Sequence, residues 1–252
     1  MKRILQRGAI TVVFALLVTG MSGSFVFAAG ETEGGKGKAK AEKQEKAPLT
    51  PVEQELASLR AFYRKAEDFT ARFRQNYHSR VTRRVTESEG RVDFAKPMKM
   101  RWDYEKPEKK SYLSDGKELW VIDWEAKLAK RYASIKASEL ESSLAFLWGG
   151  GDLQRDYTVT VLPVTQDKLE NTIPVSGRVV LELIPRTKTG FEVLYLLVDP
   201  QSGRIEETLL VDTLGNLNHI VFLELKSKQR FDDARFRFKK PDESWVQEDF
   251  AF

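Results

Sequence analysis

KPMKMRWDYEKP, residues 96–107, alternates without a break between two Lys-Pro pairs. Met98, Met100, Trp102 and Tyr104 share one parity; Lys99, Arg101, Asp103 and Glu105 share the other. A strand points successive side chains to opposite faces. The stretch therefore predicts a strand with one soft, bulky apolar face and one charged face. Lys96 has the parity of the apolar set, so a regular strand turns it inward as well, where a lone charge needs a partner.

The period of two continues outward. Phe69, Ala71, Phe73, Gln75 and Tyr77 alternate with Thr70, Arg72, Arg74 and Asn76. Further strands are predicted around Val92 and Phe94, over 111–113, 118–123 and 128–133, then over 157–162, 179–185, 191–199, 204–212, 217–227 and 234–238. Ser114-Asp115-Gly116-Lys117, Pro200-Gln201-Ser202-Gly203 and Leu214-Gly215-Asn216 read as turns between them. The segment Phe191 to Val198 is apolar on both parities, which means that both faces of its sheet are covered.

Two helical stretches stand apart from the strands. Thr50-Pro51-Val52-Glu53 fits a capping box, followed by Val52, Leu56, Leu59, Phe62 or Tyr63, and Ala66 at helical spacing. A second helix is predicted over 136–148. There Leu140, Leu144 and Leu147 share a face, Phe146 and Trp148 lie close by, and Gly149 to Gly151 form a hinge. Strands come in runs and do not alternate with helices. The fold class is therefore α+β: a large curved antiparallel sheet with an N-terminal helix and a helical insertion. No internal repeat is present.

The N-terminus reads as a secretory signal peptide. Lys2, Arg3 and Arg7 precede a short apolar run, Ala9 to Val18, and Val26 and Ala28 fit the −3 and −1 positions of a cut after Ala28. An uncleaved anchor is the alternative, though the run is short for a membrane span. Residues 29–49 form a flexible Lys/Glu/Gly tether, and 50–252 form a single domain. The 252-residue chain has no cysteine, which excludes disulfides, thiolate metal sites, cysteine nucleophiles and a lipid-modified cysteine.

The chain holds 41 basic and 37 acidic residues. Removing the three basic residues of the leader, and the five Lys and four Glu of the tether, leaves 33 of each. A neutral domain carries no general nucleic-acid footprint. Lys226 to Lys240 is a local basic run, read as a solvated strand face or as a docking surface for a partner or an anionic lipid surface. Catalytic motifs are absent. His78 and His219 fall in predicted strands outside any metal spacing, and Glu87 and Glu89 fall in a polar turn region.

What stands in excess is soft apolar surface. Phe73, Met98, Met100, Trp102, Tyr104 and Trp120 are the candidate wall of an apolar lipid-binding cavity, and Leu144, Phe146 and Leu147 of the second helix are its candidate cover. Methionine suits such a wall because it adapts to varied shapes. For any one of these residues, ordinary core is the competing reading.

Four pieces in order carry a family resemblance. They are Phe69-Thr70-Ala71-Arg72-Phe73-Arg74-Gln75; Lys96-Pro97 with Trp102 and Pro107; Ser114-Asp115-Gly116-Lys117 with Trp120; and Asp233-Ala234-Arg235-Phe236-Arg237-Phe238 with Pro241. Over about residues 52 to 250 the chain resembles the periplasmic outer-membrane lipoprotein carrier family, LolA. The resemblance implies an incomplete antiparallel β-barrel lidded by helices, no enzymatic activity and no cofactor. It implies a monomer that accepts acylated lipoproteins from an inner-membrane ABC-type release complex and passes them to an outer-membrane lipoprotein acceptor. The position whose arginine latches the family's lid is Lys96 here, a point charge without arginine's rigid fork of donors. Two other readings are a related half-barrel that carries another lipid or senses lipoproteins for envelope-stress regulation, and a lipid hydrolase.

Overall fold

A computed structural model describes residues 48–133, 153–162 and 177–250. The leader, nearly all of the tether, the second helix and its glycine hinge lie outside the described residues. Thr50 caps helix α1 (Pro51–Lys65) as its sequence requires. The Glu53 carboxylate accepts from the Thr50 amide at 2.8 Å, and the Thr50 hydroxyl accepts from the Glu53 amide at 3.3 Å. The first of these bonds holds the Glu53 carboxyl below its ordinary value.

Twelve strands follow among the described residues. The first run is β1 (Asp68–His78), β2 (Val85–Ala95), β3 (Lys99–Lys106), β4 (Lys110–Asp115), β5 (Leu119–Asp123) and β6 (Leu128–Tyr132). A one-turn helix, α2 (Leu153–Asp156), leads into β7 (Tyr157–Leu162), β8 (Val179–Pro185), β9 (Phe191–Val198), β10 (Ile205–Asp212) and β11 (Leu217–Ser227); β12 (Val246–Phe250) comes last. They form one curved sheet in the order β12-β6-β5-β4-β3-β2-β1-β11-β10-β9-β8-β7. It is two meanders joined where β1 pairs with β11, and it is open, not closed into a barrel.

Helix α1 lies on one face, the inner face, and buries Leu56, Leu59 and Tyr63. Burial of three such side chains contributes about 6 kcal/mol. Two contacts fix the helix over β9 and β10. The Tyr63 hydroxyl, pushed well above its ordinary pKa by burial, accepts from the Ile205 amide at 3.3 Å. Gly203, in the left-handed region at φ +75°, lets the β9–β10 turn approach so closely that a Cβ there would stand 2.4 Å from the Ser58 carbonyl oxygen. The double-sided apolarity of β9 is used on both faces. Leu194 and Leu196 join the core under α1, while Tyr195 and Leu197 join Val180 and Leu209 in a separate outer cluster.

The outer face of β1–β6 is covered by the chain after β11. The alternating run 234–238, predicted to be a strand, begins instead in a 3-10 turn, Asp233–Phe236. The Asp232 carboxylate accepts from the Ala234 amide at 2.8 Å, and Arg235 Nε donates at 2.8 Å to Asp93, which is buried on the sheet. Thr70 donates to the other Asp93 oxygen at 2.6 Å. Phe238 and Trp245 then pack against Trp120 and Trp124. Of the basic run, Arg235 and Arg237 are thus tied to the sheet through Asp93 and Asp115, while Lys226, Lys228, Arg230 and Lys239 stay exposed. Strand β12 was not expected. It runs parallel to β6, its five residues are all exposed, and the Tyr132 and Phe250 rings stack at 5.1 Å. Glu87 and Glu89 lie in β2, not in a turn, and Glu89 pairs with Lys106 at 2.7 Å.

Gly90 decides how closely β1, β2 and β3 approach. A Cβ there would stand 1.9 Å from the Asp103 carbonyl oxygen and 2.9 Å from the Phe73 ring. At Gly177, φ +76°, a Cβ would meet nothing within 4 Å. Gly90→Ala should lose about 3 kcal/mol in urea unfolding, whereas Gly177→Ala should lose only about 1 kcal/mol. Arg235→Met should cost about 3 kcal/mol because it strands the buried Asp93 carboxylate. Adding Asp93→Asn should recover part of that loss, read as a partial return of the unfolding midpoint.

Candidate functional site

The inner face of β1–β4 carries the aromatic surface anticipated from the alternation. Phe73 on β1 and Met100, Trp102 and Tyr104 on β3 all point inward and are buried. Register explains the grouping. Val92 of β2 and Tyr112 of β4 flank Trp102, and Gly90 faces both Phe73 and Tyr104. The gap above Gly90 lets the Phe73 ring settle between its neighbours, with centroids 5.0 Å from both Trp102 and Tyr104. Phe94 and Phe222 close edge-on against Trp102 at 6.2 and 6.1 Å, and Tyr112 against Tyr104 at 5.9 Å. Aromatic pairs prefer such tilted and edge-to-face arrangements.

The remaining predicted site residues go elsewhere. Trp120 lies on the outer face, a correction to its grouping with Trp102. Ser114 pairs with Leu119 and Tyr112 with Val121, so the inner parity of β5 belongs to Leu119 and Val121. Trp120 faces Leu113 and Arg131 and packs on Phe238 with centroids 5.1 Å apart. Met98 precedes β3 in a left-handed conformation, φ +54°, half-buried beside the β4–β5 turn. Leu144, Phe146 and Leu147 lie outside the described residues.

The break at Met98 also means that strand parity does not carry back to Lys96. Its ammonium reaches the C-terminal end of α1, donating to the Arg64 carbonyl at 2.9 Å and lying 3.6 Å from the Glu67 carboxylate. A cation at a helix C-terminus meets the unsatisfied carbonyls and the negative end of the dipole. The Lys96 amide donates to the Glu67 carbonyl at 2.9 Å, so backbone and side chain together tie the entry of β3 to the end of α1.

Few polar atoms enter this surface. Gln75 Nε2 donates to Asn218 Oδ1 at 2.7 Å across the β1–β11 pair. Burial pushes the Tyr104 hydroxyl well above its ordinary pKa against the opposing pull of Gln75 and Trp102 beside it. The Trp102 indole N–H nonetheless falls short of hydrogen-bond geometry with any group. It is the sole buried side-chain polar atom without a partner among the described residues. An unmade bond of this kind costs about 1–3 kcal/mol.

Sequence reasoning missed Phe94, Tyr112 and Phe222 as neighbours of Trp102. Each has inward parity in its own strand, but only the pairing register brings them together. Outside this face, His219 Nε2 lies 2.7 Å from Glu207, which also meets Arg178 at 3.1 Å, on the outer side of β10 and β11. His78 ends β1 in an exposed position. Among the described residues no three acidic or histidine side chains gather as a metal site would need, and no helix is long and apolar enough to cross a membrane.

Residues 64–239, well over half of the chain, match the family model described as outer membrane lipoprotein carrier protein LolA. An outer-membrane lipoprotein carrier protein of Alkalilimnicola ehrlichii is 30% identical over 198 residues, 77% of this chain and 86% of that protein. One of Nitrosomonas europaea is 25% identical over 200 residues, 77% of this chain and 89% of that protein. The crystal structure of a LolA superfamily protein from Nitrosomonas europaea covers 75% of this chain and 99% of its own, with 14% identity and a TM-score of 0.41. A match of this extent to the family model, together with a 30% identical relative aligned over most of both chains, is decisive: the chain belongs to the outer membrane lipoprotein carrier protein family, LolA.

Proposed function

We propose that this protein is a periplasmic chaperone that carries acylated lipoproteins from the inner to the outer membrane and holds their acyl chains against the inner face of its sheet. The observation that carries the reading is the inner face itself: Phe73, Met100, Trp102 and Tyr104 form one apolar wall on a sheet that has no second sheet opposite it among the described residues. In this reading Leu144, Phe146 and Leu147 cover the chains, and Met98 lies at the rim. The signal peptide delivers the chain to the periplasm, and residues 29–49 serve as a spacer. An ABC-type complex in the inner membrane loads the carrier, and an outer-membrane acceptor unloads it.

The energetics suit a carrier with no reaction to catalyse. A 16-carbon chain costs on the order of 12 kcal/mol to leave in water, so an acylated protein does not cross the periplasm unaided. The carrier need only match a membrane, with an opening that costs the strength of a few hydrogen bonds. Lys96 supplies such a latch at the C-terminal end of α1, where its bond to Arg64 breaks without exposing apolar core.

Incubation of the purified mature protein with spheroplasts carrying labelled lipoproteins should bring those lipoproteins into the soluble fraction, bound to it. Their absence from the soluble complex removes the reading. Lys96→Met should leave unfolding within about 1 kcal/mol of wild type while changing the rate of lipoprotein loading or release. An unchanged transfer rate removes Lys96 as the latch.

A further inference from the structure

We propose that the Trp102 indole N–H is the anchor for the carbonyl oxygen of the ester or amide that joins an acyl chain to its head group. The inference rests on the carriage reading above and deepens it by naming the polar atom that the site recognises. Trp102 is 5% exposed, and its Nε1 has no hydrogen-bond partner although every other buried side-chain polar atom among the described residues has one. The neighbouring rings of Phe73, Phe94 and Phe222 offer no acceptor, and the one acceptor beside it, the Tyr104 hydroxyl, falls outside hydrogen-bond geometry. Phenylalanine would fill the same aromatic setting without a stranded donor, so the structure holds a donor to which its own residues give no well-formed hydrogen bond.

The chemistry of the donor narrows the ligand. An indole N–H donates and cannot accept, so the partner is an acceptor. A phosphate or carboxylate would bring a charge into an apolar aromatic surface, which desolvation opposes. A hydrocarbon tail has no acceptor at all. The acyl carbonyl is neutral, accepts strongly, and is the one polar group attached directly to the chain. Trp102 stands in mid-strand, between Val92 and Tyr112, with Met100 on one side and Tyr104 on the other along β3. A carbonyl held there sets how deep the chain reaches, and the tail continues over the apolar wall. Recognition then falls on the linkage common to acylated cargo and is indifferent to the protein attached.

The test uses the mature full-length protein loaded with N-phenyl-1-naphthylamine, displaced by methyl palmitate or by its ether counterpart, hexadecyl methyl ether. The two differ at the carbonyl. Wild type should bind the ester about five- to tenfold tighter than the ether. Trp102→Phe should bind both as wild type binds the ether, and Trp120→Phe, the same replacement on the outer face, should keep the ester preference. Because Trp102→Phe also alters packing, the wild-type spectrum gives an independent reading: the Trp102 indole 1H–15N resonance should move downfield with the ester and not with the ether. Equal affinity for the two ligands in wild type, an ester preference that survives Trp102→Phe, or an indole resonance indifferent to the ester overturns the anchor and leaves carriage standing. Displacement by neither ligand overturns the apolar-cargo reading and the anchor with it.

Discussion

Width is the constraint on which the rest of this structure depends. Twelve strands at about 4.8 Å spacing would make a flat sheet about 53 Å wide, and a helix of 15 residues is only about 22 Å long. Helix α1 reaches from β1, where Tyr63 meets Phe69 at 5.9 Å, across the β9–β10 turn at Gly203, to β7. That accounts for one half of the inner face. Over β2–β5 the described residues supply no helix, and the apolar side chains must turn toward one another. Trp102 on β3 and Phe222 on β11 are three strand steps apart in the sheet, yet their rings lie 6.1 Å apart, as a curled sheet allows and a flat one does not.

The outer face solves the same problem in a different way, with charge. The charged parity of β3 is not left to water. Arg101 Nε binds Asp103, Arg101 Nη1 donates to the Arg235 carbonyl at 3.2 Å, Ser111 donates to Asp103, and the Trp124 indole donates to Ser111 at 2.8 Å. Together with the Asp93–Arg235 pair, this network fastens the segment after β11 over the sheet and lets Phe238 and Trp245 seal Leu113 and Ile122 beneath it. Truncating one partner of a buried ion pair is far more damaging than the pair is stabilising, so the network gives position more than net energy. Among the described residues the inner face has no comparable network. Its contacts are apolar and non-directional, which lets them be exchanged for others of the same kind.

Strand alternation and turn residues made most of this fold legible. The strands at 157–162, 179–185 and 217–227 run between the residues expected, and the capping box set the start of α1. The errors share one cause: the determinants are distant in sequence. Trp120 has inner or outer parity according to how residues 115–118 close the β4–β5 hairpin, and a one-residue slip reverses every side chain. The run 234–238 alternates well, but Arg235 is drawn to Asp93, 142 residues away, and the backbone turns to follow. β12 has too little apolar character to announce a strand. It forms because β6 offers an open edge and the Val246 amide finds the Lys127 carbonyl at 2.9 Å. Lys96 was legible as a residue in need of a partner, while the identity of that partner depended on the left-handed turn at Met98.

In the proposed carriage, a wall of this kind reconciles a stable fold with cargo that must come and go. In the structure Met100 is fully buried and Tyr104 is 3% exposed, so the inner face is shut off from water. An acyl chain entering there would replace apolar contacts by other apolar contacts at nearly the same area. The free energy of loading is then set by differences between two buried states and not by the ~12 kcal/mol that separates a 16-carbon chain from water. Small terms decide a balance of that sort: one bond from Lys96 to a helix end, one indole N–H with or without an acceptor. Strands suit the exchange because their backbone hydrogen bonds lie in the sheet and stay intact when side chains on one face move. The polar network on the far side keeps the register fixed while they do.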